Sequence, residues 1–494
     1  MHQRIQLLQN TIITSIKQYT QRFRPGTFFM NVTVLASSTA FGQAIIVLVT
    51  PILTRLYQPD DFGIMAAYAS VLSMLSVIAA FRYDFVIPLP EEDSDAANVI
   101  AVAFFSLLIM TVLTTLGIIL LGPQISVWLQ TPQLARYLWL LPVGLLAVGA
   151  YQNLNFWAIR KQQFNNLAKT RVSQNIGRAL TQTTAGLLKL GPAGLIIGYV
   201  LGLSGGIGTL AKLLWQDIKP LLPGITSDRL NYVAKRYWRF PLVNSWASII
   251  SSLSQELPVL IISSYFGSTV VGWFYLSLKV LRVPFTIVGQ AIAQVFYARA
   301  SVASRGGDLS RVTLEVFENL NRLSMGPMLW IGLMAPSLFS FIFGSNWETS
   351  GYYSRYITPL LFILFVTTPL STIVYFKERQ RTDLIFQIFL LVGRVGVILL
   401  SGIFGNASIA ILSYSLVSFV ILMIYLFWLM AASENDVWLV IHNLMRELII
   451  NFLLVVPIVL TLIFDLDIYI IFIISGLSLC LMALRIVRQI KASG

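Results

Sequence analysis

Lys279 and Arg282 stand three residues apart in the apolar stretch from Phe266 to Ser301, FGSTVVGWFYLSLKVLRVPFTIVGQAIAQVFYARAS, a spacing that puts both cations on one helix face. A charge at hydrocarbon depth costs at least about 2.5–3.5 kcal/mol on insertion scales, so both are expected to face a polar cavity rather than lipid. Glu256, in SQELP, lies nine residues inside the outer end of the preceding apolar run, and Lys279 lies nine residues inside the outer start of its own. A tight outer loop therefore sets them at one depth. A Glu256–Lys279 pair follows, either a structural ion pair or a gating and ion-coupling one, with Arg282 left free to bind an anion. Arg178 and Arg394 are further cations with no acid near them in sequence. Carbonyl bonding or snorkelling is the plainer role, expected more of Arg178, near the inner face, than of Arg394.

The elements that must carry these charges are membrane spans. Of the 494 residues, 56% are hydrophobic and 11% charged, against about 25% charged in a soluble protein. Mean hydropathy is +0.77. Cys480 is the single cysteine, and only His2 and His442 occur, so neither a disulfide framework nor a zinc, haem or other metal site is expected, and no cofactor. The net charge of +13 has no soluble basic domain to sit on, which argues against nucleic acid as a partner.

Fourteen apolar runs are long enough to cross a bilayer, beginning at 28–53 and 62–81 and ending at 447–464 and 466–485. About twenty-five of the 34 Lys and Arg fall in the two tails and alternate loops, so the positive-inside rule places both termini in the cytoplasm. The opposite loops are short and hold Arg55, Arg136, Lys189 and Arg355. Trp128, Trp139, Trp273 and Trp347 fall near outer boundaries, as interfacial anchors do. The fold class is thus an all-α polytopic membrane protein. Residues 1–27 read as an interfacial amphipathic helix, 28–215 as a six-helix lobe, 216–240 as a basic cytoplasmic linker, 241–431 as a second six-helix lobe, and 432–494 as two extra helices and a tail.

The two lobes carry traces of one ancestor. A shift of 209 lays Gly63 on Gly272 and YASVL on SLKVL; a shift of 217 lays Pro142 on Pro359 and Arg160 on Lys377. Six is even, so the copies share an orientation and are related by an axis along the membrane normal, an arrangement that puts a transporter's site between halves. Gly194, Gly198, Gly202 and Gly206 recur every fourth residue in the sixth run, 192–214, and predict close helix packing rather than a phosphate loop. Between the second and third runs, FRYDFVIPLPEEDSDAAN holds Arg82 and Asp84 at the helix exit, coupling or gating candidates together with Glu256. The acids Glu91, Glu92, Asp93 and Asp95 that follow are expected to cap the third helix and to latch onto basic loops of the other half.

Three stretches resemble the bacterial polysaccharide flippases, the Wzx-type branch of the multidrug/oligosaccharidyl-lipid/polysaccharide exporter superfamily: TPILTRLYQPDDFGIMAAYASVL through FRYDFVIPLPEEDSDAAN, the segment around Lys279, and VYFKERQRTDLIFQ. The resemblance implies two six-helix lobes forming a V, a cationic cavity and alternating access. It also implies an undecaprenyl-diphosphate-linked oligosaccharide repeat unit (O-antigen, capsule or exopolysaccharide) carried from the cytoplasmic to the periplasmic leaflet of the bacterial inner membrane. Membrane lipids and the polysaccharide polymerase and chain-length machinery would be its partners. Lys279, Arg282, Arg394 and Arg178 match a diphosphate by charge. Lipid II flippases share the fourteen spans, and in them the last two helices form a lipid groove. Two alternatives are a membrane polymerase or ligase of the same pathway, which needs larger outer loops, and a small-molecule antiporter of the same fold.

Overall fold

The computed structural model describes residues 25–306, 308–464 and 467–493, so the interfacial helix expected over 1–27 lies almost wholly outside the described residues. The first half runs α1 (Pro25–Leu56), α2 (Pro59–Ser76), α3 (Asp93–Trp128), α4 (Leu140–Arg160), α5 (Phe164–Leu187), α6 (Pro192–Ser204) and α7 (Ile207–Ile218), with α8 (Ser227–Arg236) in the linker. The second runs α9 (Ser245–Gly306), α10 (Leu309–Phe343), α11 (Glu348–Leu370), α12 (Ile373–Phe376), α13 (Gln380–Ile403) and α14 (Ala407–Ala432); α15 (Val437–Ile463) and α16 (Ile468–Ser493) are appended. Nine described segments are long and apolar enough to cross a membrane. Taking α9 as two arms and adding α2, α4, α5 and α16 restores the fourteen spans expected, in two six-helix lobes with two helices added.

Local sequence sets the breaks. Pro59 opens α2 where its missing N–H costs nothing, Asp60 and Asp61 complement the positive end of the helix, and Asp61 accepts from the Gln58 amide (2.9 Å). α9 breaks at Gly267 (φ 80°), a conformation open to glycine, so spans seven and eight are two arms of one 62-residue element. The sixth span, expected to be continuous over 192–214, is instead broken between α6 and α7 at Gly206 (φ 85°). The glycine stripe does pack as predicted. A Cβ on Gly198 would meet the Gln182 side chain at 2.5 Å and one on Gly202 would meet the Arg178 Cβ at 2.8 Å, so the bare face of α6 lets α5 close in and brings Arg178 alongside.

The acidic latch is corrected. Asp93 pairs with Arg160 (2.9 Å) and Lys161 (2.5 Å), both at the end of α4 in its own lobe, and Asp95 pairs with Arg229 of the linker (3.3 Å). Arg160 also donates to the carbonyls of Pro90 and Glu91, so the cluster fastens the inner loop of the first half to itself. The lobes meet elsewhere: the core around Phe62, Tyr68 and Leu107 runs on into Leu276, Phe339 and Trp347 of the second half, at the end the sequence reading expects to be outer. Trp128 and Trp139, expected as interfacial anchors, are exposed, but Trp347 is 1% exposed and donates to the Thr54 carbonyl (3.0 Å) across the lobe boundary.

The appended helices are held by charge. Glu447 on α15, 1% exposed, faces Arg485 of α16 (2.7 Å), Arg446 (3.4 Å) and Arg322 of α10 (3.7 Å). Arg322 also pairs with Glu318 (3.1 Å), which accepts from Asn443 (3.1 Å). Buried charges at this depth need such mutual neutralisation.

Candidate functional site

Lys279, on the second arm of α9, extends its ammonium across the lobe boundary to 5.7 Å from the Phe62 ring centre on α2. Arg178, on α5 of the first lobe, stacks its guanidinium on Tyr199 of α6 at 4.6 Å and lies within electrostatic reach of Lys279. Tyr199 in turn sits in the field of Arg178, Tyr275 and Glu256. One group of side chains thus gathers from both lobes: Phe62, Arg178 and Tyr199 from the first, Glu256, Tyr275 and Lys279 from the second. No carboxylate lies within 4.0 Å of either cation among the described residues, and the Arg178 Nε is buried without a hydrogen-bond partner.

The expected Glu256–Lys279 pair does not form. Equal depth on two helices leaves their rotation about their own axes free, and Glu256 lines a cavity instead. It shares this polar cavity of about 390 Å³ with Arg82, Ser73, Ser251, Ser252 and Gln255. Glu256 and Arg82, both gating candidates, therefore meet at one cavity between the lobes. Arg282, half-buried one turn past Lys279, makes no hydrogen bond or ion pair among the described residues.

Arg394 is placed differently from what its sequence suggested. It is 6% exposed and bonded within its own lobe: Nε donates to Ser418 (2.9 Å), Nη1 donates to the Ser254 carbonyl and Oγ (3.1 Å each), and the guanidinium lies 5.5 Å from the Tyr414 ring. Carbonyl bonding, expected of Arg178, thus belongs to Arg394. It ties α13, α14 and the first arm of α9 together inside the second lobe.

Arg82 and Asp84 occupy the turn after α2. Phe81 (φ 46°) and Arg82 (φ 63°) take left-handed conformations in succession, which strains two residues with side chains. Arg82 lies 4.6 Å from the Phe85 ring. Asp84 is 4% exposed and its Oδ1 has no partner. Burial pushes its carboxyl up to about 6, against the opposing pull of the Arg82 charge and two backbone N–H groups.

Sequence reasoning passed over Tyr199, Tyr275 and Phe62. The signal for Tyr199 lay in the stripe itself, since Gly198 and Gly202 thin the helix around that aromatic. A second cavity, of about 820 Å³ and almost wholly apolar, lies between α10, α11, α14 and α15, lined by residues including Met328, Phe362, Phe419, Leu444 and Leu448.

Compared with known proteins, residues 52–351 match the family described as polysaccharide biosynthesis protein. The chain is 23% identical over 452 residues to the succinoglycan biosynthesis transport protein ExoT of Rhizobium meliloti (strain 1021), covering 85% of each chain. Among solved structures, the lipid II flippase MurJ in an inward closed conformation superposes with a TM-score of 0.73 at 13% identity, over 93% of this chain and 99% of that one. An inward-facing multidrug resistance MATE transporter of the MOP superfamily superposes with a TM-score of 0.63 at 15% identity, over 79% and 95%.

Proposed function

Because the chain belongs to the polysaccharide biosynthesis protein family and has the fold of a lipid flippase, we propose that it carries undecaprenyl-diphosphate-linked oligosaccharide repeat units from the cytoplasmic to the outer leaflet of the bacterial inner membrane by alternating access. One observation carries the reading: Arg178 and Lys279, one from each lobe, sit in electrostatic reach of each other with no carboxylate within 4.0 Å of either among the described residues. Two like charges away from bulk water repel, and an anion bridging them offsets that cost. A diphosphate has the charge and the acceptor oxygens to engage both, with Arg282 one helical turn deeper as a third partner. The polar cavity shared by Glu256 and Arg82 is the part of the route assigned to gating in this reading.

The glycan stays hydrated between the lobes while the polyprenyl chain remains in apolar surroundings. The 820 Å³ cavity is the place assigned to that chain. It departs from the groove that the resemblance led one to expect, because α15 lines it and no described residue of α16 does.

The test is conditional depletion followed by lipid analysis, with Lys279→Ala, Arg282→Ala and Arg178→Gln as variants. Each charge-assisted contact contributes about 1.5–3 kcal/mol, so losing one should weaken head-group binding roughly 10- to 100-fold. Undecaprenyl-linked repeat units should then accumulate on the inner leaflet with protein abundance unchanged. Full transport by all three variants would falsify the cation site. Lipid-linked glycan handled normally after depletion would point to the small-molecule antiporter, and unpolymerised glycan in the outer leaflet to the polymerase or ligase.

A further inference from the structure

Gly63 and Gly272 occupy equivalent positions in the two halves, and each is pressed against the main chain of the opposite lobe. A Cβ on Gly63 would fall 1.8 Å from the Ser268 carbonyl oxygen, and one on Gly272 would fall 1.8 Å from the Pro59 carbonyl oxygen and 3.1 Å from the Gly63 nitrogen. Pro59 and Ser268 are related by the same shift of 209 that relates the glycines. The contact is therefore self-reciprocal, the mark of a two-fold axis running through it. Only residues without side chains permit this approach, in which helix backbones touch directly.

The surroundings lock the same end. Ser268 Oγ donates to Asp60, Asn346 donates to Gln58 (3.3 Å), and Ser263 donates to the Leu129 carbonyl (2.8 Å). Phe62 meets Trp347 edge to face at 5.0 Å. Every one of these contacts joins first lobe to second, and all lie at the outer end, whereas the polar cavity beside Arg82 and Glu256 separates the lobes at the inner end.

We infer that the Gly63–Gly272 junction is the outer gate, and that the two glycines are its positioning residues: the lobes seal by backbone contact on their symmetry axis and part there when the cavity opens outward. This deepens the transporter reading and rests on it. At its centre the seal is main chain against main chain, the core around Phe62 and Trp347 beside it parts along with it, and the Asp60–Ser268 hydrogen bond at its rim is one that water replaces. Because the contact is reciprocal, a methyl group at either glycine is an equivalent wedge.

The experiment measures lobe separation in the full chain in lipid nanodiscs, with spin labels at Trp128→Cys and Phe341→Cys, both exposed, in a Cys480→Ser background. Gly63→Ala and Gly272→Ala should each raise the long-distance population several-fold and by similar amounts, and Ser268→Ala should raise it less. Unchanged distances in both alanine variants, or a response from only one, overturns the gate. Should the alanine variants misfold, Asp60→Cys with Ser268→Cys keeps both glycines. That pair should cross-link spontaneously and halt export until reduced, and export that continues through the cross-link overturns the gate equally. Distances that respond to the wedge in a protein that exports no lipid-linked glycan leave the gate standing and remove the substrate assignment instead.

Discussion

Arg355 stands in for a hydrogen bond that Pro336 deletes. Proline has no N–H to give to the carbonyl four residues back, Gly332, and Arg355 Nε donates to that oxygen at 3.0 Å while Nη2 donates to Leu333 at 3.0 Å. The sequence places Arg355 among the outer-loop cations; the structure makes it the clamp of a proline site in α10. Replacing it with Ala should cost about 1–3 kcal/mol, read as a lowered Tm in detergent. In a Pro336→Ala background the loss should shrink, because the restored amide can satisfy Gly332. Equal losses in both backgrounds would dissociate the arginine from the proline.

Arg394 and Lys279 should separate cleanly in one assay. Arg394→Ala strands Ser254 and Ser418 inside the second lobe and should lower folded protein, with about 2–4 kcal/mol lost. Lys279→Gln should leave the size-exclusion profile of the purified protein unchanged while export fails. An Arg394→Ala protein of normal stability that fails only in export would make this residue a ligand contact.

Glu447 neutralises three arginines, so Glu447→Gln leaves an excess of buried positive charge between α10, α15 and α16. A loss of about 3–5 kcal/mol is expected, as for other broken buried pairs. Adding Arg485→Gln should recover part of it, and limited proteolysis of the appended helices would report the difference. A double variant worse than the sum of its singles contradicts the network.

Asp84 gives a pH dependence of defined sign. Its folded value, about 6, lies above the ordinary 3.8, so its neutral form is favoured in the folded protein. The stability this contributes is complete below about pH 4 and is lost as pH rises through 6. Asp84→Asn should therefore raise Tm over the native protein at pH 7.5 by the equivalent of about 1–3 kcal/mol, and by much less at pH 4.5. Equal gains at both pH values would remove the buried carboxyl as their cause.

Span positions were legible in the sequence because bilayer thickness fixes their length, and the duplication because Gly63 and Gly272 both stand where an added Cβ would lie 1.8 Å from a carbonyl oxygen of the other lobe. Which residues are charged inside the spans was legible too; which way Glu256 and Lys279 point around their helices was not, since neighbouring helices decide it. Arg394 was read as unpaired for a similar reason. Its acceptors, Ser254 and Ser418, sit on two other helices and are individually unremarkable serines. The Arg322–Glu318 pair, one helical turn apart, was visible in the sequence, but Glu447 and Arg485, which give it meaning, lie far along the chain.

Ser268 follows Asp60 by 208 residues, which has a bearing on synthesis. As the ribosome feeds the first half into the bilayer, α2 must wait with its glycine face and its aspartate turned to lipid until α9 emerges. Chains that stop short of residue 268 would keep that face bare indefinitely. The same absence of side chains that lets two halves meet on an axis would thus mark an unfinished copy for the membrane's proteases.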